Sequence, residues 1–132
     1  MPIDNIKLSQ SARDQLVQLK RHTRIENWNI LCRWGLCLSL AEPSAPRRQP
    51  IPSDSNVEMT WRTFGGHQDE IYRGLLALRY QEEATDDMTE LEHFRLHLHR
   101  GISYLAGDPR RKSIAGLLEI ASETYSRSTN PS

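Results

Sequence analysis

The stretch NWNILCRWGLCLSLAE, residues 27–42, decides the fold that we expect of this chain. It predicts a helix with one charged residue, Arg33, between Trp28 and Ala41, so the helix is apolar on nearly every side. Such a helix is normally buried all round, and a chain of 132 residues has little mass with which to enclose it. We therefore expect it to lie at a contact between copies of the chain. The residues expected at that contact are Trp28, Leu31, Trp34, Leu36, Leu38 and Leu40.

The residues before this helix predict a short strand and a first helix. Residues 3–8 are typical of an extended segment with Ile6 and Leu8 on one face, and Ser9 stands at the N-cap position of the helix that follows. From residue 10 to about residue 23, a helical period places one set of residues on a core face: Ala12, Leu16, Leu19 and Thr23. The other side of this helix is basic through Arg13, Lys20, Arg21 and Arg24.

The next segment is rich in proline. Residues 43–56 hold four of the seven prolines and predict an extended, mobile connector. Residues 57–64, VEMTWRTF, alternate apolar and polar side chains and therefore predict a strand.

Helices are predicted for most of the remaining chain. Residues 67–83 predict a helix with Ile71, Leu75 and Leu78 on one side. Asp87 and Glu90 resemble a capping box, which predicts a further helix through about residue 105. The segments expected after it are a short helix at residues 113–121 and a flexible tail at residues 122–132.

These segments predict one mainly α domain over residues 1–121. Its strand and first two helices resemble a ribbon-helix-helix unit, to which further C-terminal helices are added. In that fold two chains intertwine, and their second helices form a shared core. The resemblance therefore implies an oligomer.

Charge is balanced overall but segregated along the chain. Seventeen basic and seventeen acidic side chains cancel, so net charge names no partner. Residues 1–48 hold eight basic and four acidic side chains, residues 67–92 two and eight, and residues 95–112 five and one. This pattern is typical of a polyanion binder, and equally of helix faces that pair with each other. The expected phosphate contacts are Lys7, Arg13, Lys20, Arg21, Arg24, Arg100, Arg110, Arg111 and Lys112.

No motif in the chain predicts catalysis. P-loop, GxSxG and GxGxxG patterns are missing from the sequence, so we expect no enzyme activity. His93 and His97 have metal-ligand spacing with Glu92 adjacent, but a tight site needs more converging ligands. We therefore expect no metal ion and no other cofactor. Acidic residues at 82–87 would suit a nuclease metal, although stabilisation of a helix start explains Asp86 and Asp87 without one.

Cysteine and hydropathy patterns indicate a cytoplasmic protein. Cys32 and Cys37 lie on roughly opposite sides of the apolar helix, so we expect two buried thiols rather than a disulfide. The start of the chain shows no secretory signal. The apolar run is shorter than the roughly 20 residues that span a bilayer, so no membrane contact is expected.

Three blocks carry a resemblance to a known family: residues 6–44, VEMTWRTFGG at 57–66 and LHLHRGISYLAG at 96–107. Together they resemble the DNA sulfur-modification proteins of the DndE family. The likeness extends over roughly residues 3–120, and its most specific parts are ENWNILCRW, TFGG and HLHRG.

The resemblance implies a small bacterial accessory protein that binds duplex DNA, nicked duplexes in preference, without catalysing a reaction. Its pathway replaces a non-bridging phosphate oxygen with sulfur. The implied partners are a cysteine desulfurase, a sulfurtransferase with an iron–sulfur cluster and a DNA-dependent ATPase. A homo-oligomer, expected to be a tetramer, is also implied. Family DNA binding is attributed to surface lysines; because this chain has only Lys7, Lys20 and Lys112, arginines are expected to replace them.

Two other functions fit parts of the same pattern. A protein-interaction scaffold would use the basic patches to meet acidic partners, and a DNA nickase is the weaker alternative. DNA binding predicts a steep salt dependence because bound phosphates release counterions. Nicking predicts metal-dependent cleavage.

Overall fold

The computed structural model describes residues 3–108, together with residues 116, 118–119 and 122–123. Over these residues the chain is mainly helical, as predicted, with one two-stranded sheet. In chain order the elements are β1 (Asn5–Lys7), α1 (Gln10–Thr23), α2 (Trp28–Ala41), β2 (Glu58–Thr60), α3 (Trp61–Gly65), a 3₁₀ turn (Gly66–Gln68), α4 (Asp69–Glu83) and α5 (Glu90–Gly107). The helix expected at 113–121 and the tail expected at 122–132 lie for the most part outside the described residues.

The first helix forms as its sequence predicts. The side chain of Ser9 accepts a hydrogen bond from the N–H of Ala12 and so caps the start of α1. Arg24 adopts a left-handed conformation with φ of 63° and ends the helix. The four predicted core positions of α1 are all buried, which confirms its core face.

The strand β1 pairs within its own chain. Ile6 lies opposite Met59 in an antiparallel ladder with β2, and both Ile6 and Leu8 are fully buried. In a ribbon-helix-helix unit a second chain would help to cover the second helix, whereas here α5 of the same chain packs on α2. Within the described residues, β2 and α5 of the same chain therefore supply the strand pairing and the helix cover that a second chain supplies in a ribbon-helix-helix unit.

The helices α2 and α5 cross at two glycines. A Cβ atom built on Gly101 would lie 1.7 Å from the carbonyl oxygen of Gly35, so the two main chains touch. Leu31 and Leu36 lie on the same side of α2 as Gly35 and are fully buried by this chain alone. The expectation that these two leucines lie at a contact between chains is therefore wrong, because α5 and the rest of the core cover them.

The predicted strand at residues 57–64 is shorter than expected. The side chain of Thr60 accepts a hydrogen bond from the N–H of Thr63, so the chain turns into α3 at Trp61. The i, i+3 spacing then places Trp61 and Phe64 together in the core, where both rings contact Phe94 of α5 at centroid distances of 5.6 and 5.4 Å. Burial of this aromatic cluster favours the helix over a longer strand.

The proline-rich connector is extended but anchored. Prolines prevent the connector from forming a helix or a sheet, so its main-chain carbonyls lack the hydrogen bonds of regular secondary structure. Arginine side chains donate hydrogen bonds to several of these carbonyls. Arg95 of α5 donates to the carbonyls of Ile51 at 2.8 Å and Pro52 at 3.0 Å, and Arg100 donates to that of Ser44 at 2.9 Å. The prediction of a mobile connector is therefore corrected, because guanidinium groups hold it on α5.

The helices α4 and α5 form within a few residues of their predicted bounds. On α4 the stripe of Ile71, Leu75 and Leu78 shares one face as predicted, but that face is exposed. The cap of α5 is Thr89 rather than Asp87, since Thr89 accepts a hydrogen bond from the N–H of Glu92.

Candidate nucleic-acid interface and a buried histidine cluster

Basic side chains of α1 form what we call the α1 stripe, which consists of Arg13, Lys20, Arg21 and Arg24. At 100° per residue, Arg13, Lys20 and Arg24 lie within about 40° of one another. Arg21 and Arg24 are exposed, and within the described residues their side chains make no hydrogen bond or ion pair. Lys20 lies over the ring of Trp28, with Nζ 4.0 Å from the centroid. Arg13 is half-buried and pairs with Asp14 at 3.7 Å. Arg21 and Arg24 are open to an approaching phosphate, as is exposed Lys7 on β1.

Arg100, predicted to contact phosphate, is used inside the chain. Its Nε donates to Ser39 Oγ at 2.9 Å, Nη2 to the Ser39 carbonyl at 2.8 Å and Nη1 to the Ser44 carbonyl at 2.9 Å. All three guanidinium nitrogens therefore have partners, and Arg100 holds the end of α2 and the connector rather than presenting a free cation. Arg110, Arg111 and Lys112 lie outside the described residues.

A groove on the other flank of α1 contains a cation that the sequence pattern does not single out. The groove has a volume of about 410 Å³ and lies between α1, the connector and α5. Exposed Arg47 lines it together with Ser11 and Gln15. Because Ser11 and Gln15 lie about 180° around α1 from Arg13, the groove and the α1 stripe face different directions. Sequence reasoning misses Arg47 because a mobile connector would give it no fixed position.

Apolar side chains are exposed or half-buried on α2 and α4, and we call them together the α2–α4 surface. It comprises Trp34, half-buried on α2, and three residues of α4: Ile71 at 59%, Leu75 at 45% and Leu78 at 61% exposure. Cys37 of α2 and Tyr72 of α4 lie close enough to influence each other's pKa. Cys37 is exposed, which corrects the prediction of two buried thiols. The other residues expected at the contact, Trp28, Leu38 and Leu40, are also half-buried.

Two buried histidines converge on one carboxylate. His93 and His97 lie one turn apart on α5, and their Nε2 atoms lie 2.9 and 2.8 Å from the same oxygen, Oε1, of Glu83 at the end of α4. Arg79 binds the other oxygen, Oε2, through Nη2 at 2.7 Å and Nε at 3.0 Å. The spacing in the sequence places Glu92 next to these histidines as the nearest carboxylate. In the folded chain the carboxylate that both histidines contact is that of Glu83.

The hydrogen bonds define the protonation of this cluster. Burial raises the pKa of Glu83, but hydrogen bonds from His93, His97 and Arg79 outweigh burial and lower it to about 2. Glu83 is therefore an acceptor, and both Nε2 atoms carry hydrogen. Burial lowers the pKa of His97 to about 4, so this ring is neutral and its Nδ1 accepts from Ser39 Oγ at 2.8 Å. Ser39 Oγ in turn accepts from Arg100, so the chain of bonds is complete.

The cluster has the composition of a metal site. Among the residues that the structure describes, Glu83, His93 and His97 are the group whose ligand atoms all lie within 4.8 Å of one another. The acidic residues at 82–87 do not converge in the same way: Glu83 turns into the cluster, whereas exposed Asp87 pairs with Arg48 at 2.7 Å. No helix in the described part of the chain is long and apolar enough to cross a membrane.

Comparisons with known proteins agree on one family. The family model described as DNA sulphur modification protein DndE matches residues 5–113. No curated protein matches the chain.

Two solved structures share the fold. One is DndE from Escherichia coli B7A, involved in DNA phosphorothioation modification, with a TM-score of 0.67 and 22% identity over 80% of this chain and 98% of that one. The other is a G21/24K mutant of DndE involved in DNA phosphorothioation, with a TM-score of 0.62 and 22% identity over 82% of this chain and 100% of that one.

Proposed function

Because the chain belongs to the DndE family of DNA sulphur modification proteins, we propose that it is a non-catalytic, DNA-binding subunit of the phosphorothioation system. It binds duplex DNA through phosphate contacts and prefers a nicked duplex. The observation that carries this proposal is the α1 stripe, whose Arg21 and Arg24 are exposed, whereas Arg79, Arg95 and Arg100 bind carbonyl groups of the chain.

The composition of the stripe suits phosphate rather than base recognition. Arginine presents a planar fork of donors that matches phosphate geometry. Gln10, the glutamine of α1 on the same side as the stripe, donates its side-chain amide to Asp14 at 3.0 Å, so the stripe presents no free amide of the kind that reads adenine edges. Binding is therefore largely independent of DNA sequence. A nick favours it by making the duplex easier to bend across a protein surface.

Self-association strengthens such binding. The α2–α4 surface is apolar, and its burial between copies would present several α1 stripes to one duplex. We propose a homo-oligomer, a tetramer by the family resemblance, which acts in the cytoplasm. Its protein partners in the proposed system are a cysteine desulfurase, a sulfurtransferase with an iron–sulfur cluster and a DNA-dependent ATPase.

The salt dependence of DNA binding tests the proposal. Each phosphate neutralised adds about −0.9 to the slope of log affinity against log salt concentration. Replacement of Arg13, Lys20 and Arg24 by Gln is expected to flatten that slope by roughly 2–3 for each copy bound, on both intact and nicked duplexes. The matched control is Arg62→Gln, which removes a 75% exposed cation from α3 and should leave the slope unchanged.

Two results would contradict the proposal. Equal binding by the parent and the triple variant at every salt concentration would place DNA on another surface. Cleavage of intact duplex by the purified chain with Mg²⁺ would contradict the non-catalytic role. If the chain proves not to bind DNA, the exposed apolar stripe on α4 favours the alternative function of a protein-interaction scaffold. A large exposed apolar patch is typical of a protein-interaction site.

A further inference from the structure

Glu83, His93 and His97 bring one oxygen and two nitrogen donors together inside the protein. The relative exposure of His93 is 2% and that of His97 is 0%. The three ligand atoms belong to two helices and lie within 4.8 Å of one another. Imidazole nitrogens and a carboxylate oxygen are the donors that zinc binds most readily in proteins, after thiolate sulfur.

Hydrogen bonds outside this donor set fix its orientation. Ser39 Oγ lies 2.8 Å from Nδ1 of His97, and Arg79 holds Oε2 of Glu83. Oε1 and the two Nε2 atoms are thereby left facing one another. Metal-binding histidines and carboxylates are commonly supported in this way through the atom that does not touch the metal.

The edge of the cluster beside His93 has room for a water molecule. A cavity of about 20 Å³ adjoins His93 and is also lined by Tyr80, Leu76 and Ile3. That volume accommodates about one water molecule and no larger substrate. Neither Glu83 nor His97 lines this cavity, so the structure itself provides the three protein ligands, and a water molecule would have to complete the tetrahedron that zinc adopts.

We propose that Glu83, His93 and His97 bind a single zinc ion that joins the end of α4 to α5. Without metal, the two Nε2–H groups donate to Oε1 at 2.9 and 2.8 Å. With zinc, each Oε1–Nε2 distance opens to roughly 3.3 Å, as tetrahedral bonds of about 2.0–2.1 Å require, and the two Nε2 atoms take the same separation. Each ring then carries its hydrogen on Nδ1. For His97 the hydrogen bond with Ser39 simply reverses, because a hydroxyl both donates and accepts.

Arg79 limits the affinity of the site without blocking it. Its positive charge lies beside Glu83, but it contacts Oε2 and leaves Oε1 to the metal. It also donates to the carbonyls of Leu40 at 2.6 Å and Glu42 at 3.0 Å, where the end of the α2 dipole offsets part of its charge. The sequence alone predicts no metal ion, because it does not reveal that Glu83 lies beside His93 and His97; the proposed zinc site differs from that prediction.

Calorimetry and thermal unfolding of the untagged, chelator-treated chain test the site with zinc chloride. We expect one zinc bound per chain, and a rise of roughly 8 °C in the unfolding midpoint at free zinc a hundredfold above Kd. The double variant His93→Ala, His97→Ala should lose both effects. The matched control His67→Ala removes an exposed histidine and should retain both.

Nitrogen-15 NMR of the parent keeps the test decisive if the double variant does not fold. The expected result is a hydrogen on Nε2 of His93 and His97 without metal and on Nδ1 with zinc. The proposal is overturned if zinc leaves these four nitrogen signals unchanged, if the parent binds no zinc, or if the folded double variant binds zinc as the parent does. None of these measurements involves DNA, so their outcome is independent of the proposed function.

Discussion

Replacement of Gly101 by Ala should disrupt the contact between α2 and α5. The new Cβ would lie 1.7 Å from the Gly35 oxygen and 2.3 Å from the Gly35 carbonyl carbon, whereas a normal contact is roughly 3.2–3.5 Å. The helices must therefore separate by about 1.5 Å, and no side-chain rotation can avoid it because the blocking atoms belong to the main chain. This separation would loosen the packing of Leu36 and Ile102, both fully buried.

The expected loss of stability for Gly101→Ala is about 3–5 kcal/mol. Overpacking normally costs about 1–3 kcal/mol when side chains can adjust, and here they cannot. The higher helix propensity of Ala returns at most about 1 kcal/mol. Gly35→Ala should lose less, since its Cβ would meet the nearest atom, the amide nitrogen of Ile102, at 2.9 Å.

Urea unfolding followed by circular dichroism measures these differences, and Gly74→Ala is the matched control. Gly74 lies within α4, and a methyl group added there would meet no packed atom within 4 Å, so alanine should stabilise the chain by about 0.5–1 kcal/mol. The expected order of stability is Gly74→Ala, parent, Gly35→Ala and then Gly101→Ala. A Gly101→Ala variant with native circular dichroism and stability within about 1 kcal/mol of the parent would refute the direct contact between main chains.

Two further predictions concern the connector and the α2–α4 surface. Arg95→Lys keeps the charge but loses the guanidinium fork that reaches Ile51 and Pro52, so urea unfolding should show a loss of stability of about 1–3 kcal/mol. The control, Arg24→Lys at an exposed position, should change stability by less than about 0.5 kcal/mol. Equal effects of the two variants would contradict the role of Arg95 in anchoring the connector. Leu75→Glu should leave circular dichroism unchanged but reduce the mass measured by light scattering, whereas Leu36→Glu should unfold the chain, since Leu36 is fully buried. A folded Leu75→Glu variant with the parent's oligomeric mass would exclude Leu75 from the contact.

Local features of the fold could be predicted from the sequence. The bounds of α1 follow from the Ser9 cap and a single apolar face, both of which depend on residues close together in the chain. The buried face of α2 was not predictable in the same way. A helix that is apolar on all sides has no period that points to the core, and the contact of Gly35 with Gly101 of α5 decides the direction.

The candidate sites show the same limit. The α1 stripe was visible as a helical pattern of cations, and the structure leaves Arg21 and Arg24 exposed. Glu83 was not visible as the partner of His93, since the contact depends on the path of the chain between α4 and α5. The sequence predicts a phosphate contact at Arg100 because its hydrogen-bond acceptors, in Ser39 and Ser44, are more than fifty residues away in the chain.

The crossing of α2 with α5 has a consequence for the order in which the chain folds during synthesis. α2 ends at Ala41, whereas the helix that covers its buried face ends at Gly107. At synthesis rates of about 5–20 residues per second, those 66 residues take roughly 3–13 s to add. For that period Leu31 and Leu36 have no α5 to cover them, although α1 is already able to form. The nascent chain therefore passes through a stage at which its most apolar helix is open to chaperones or to a neighbouring nascent copy.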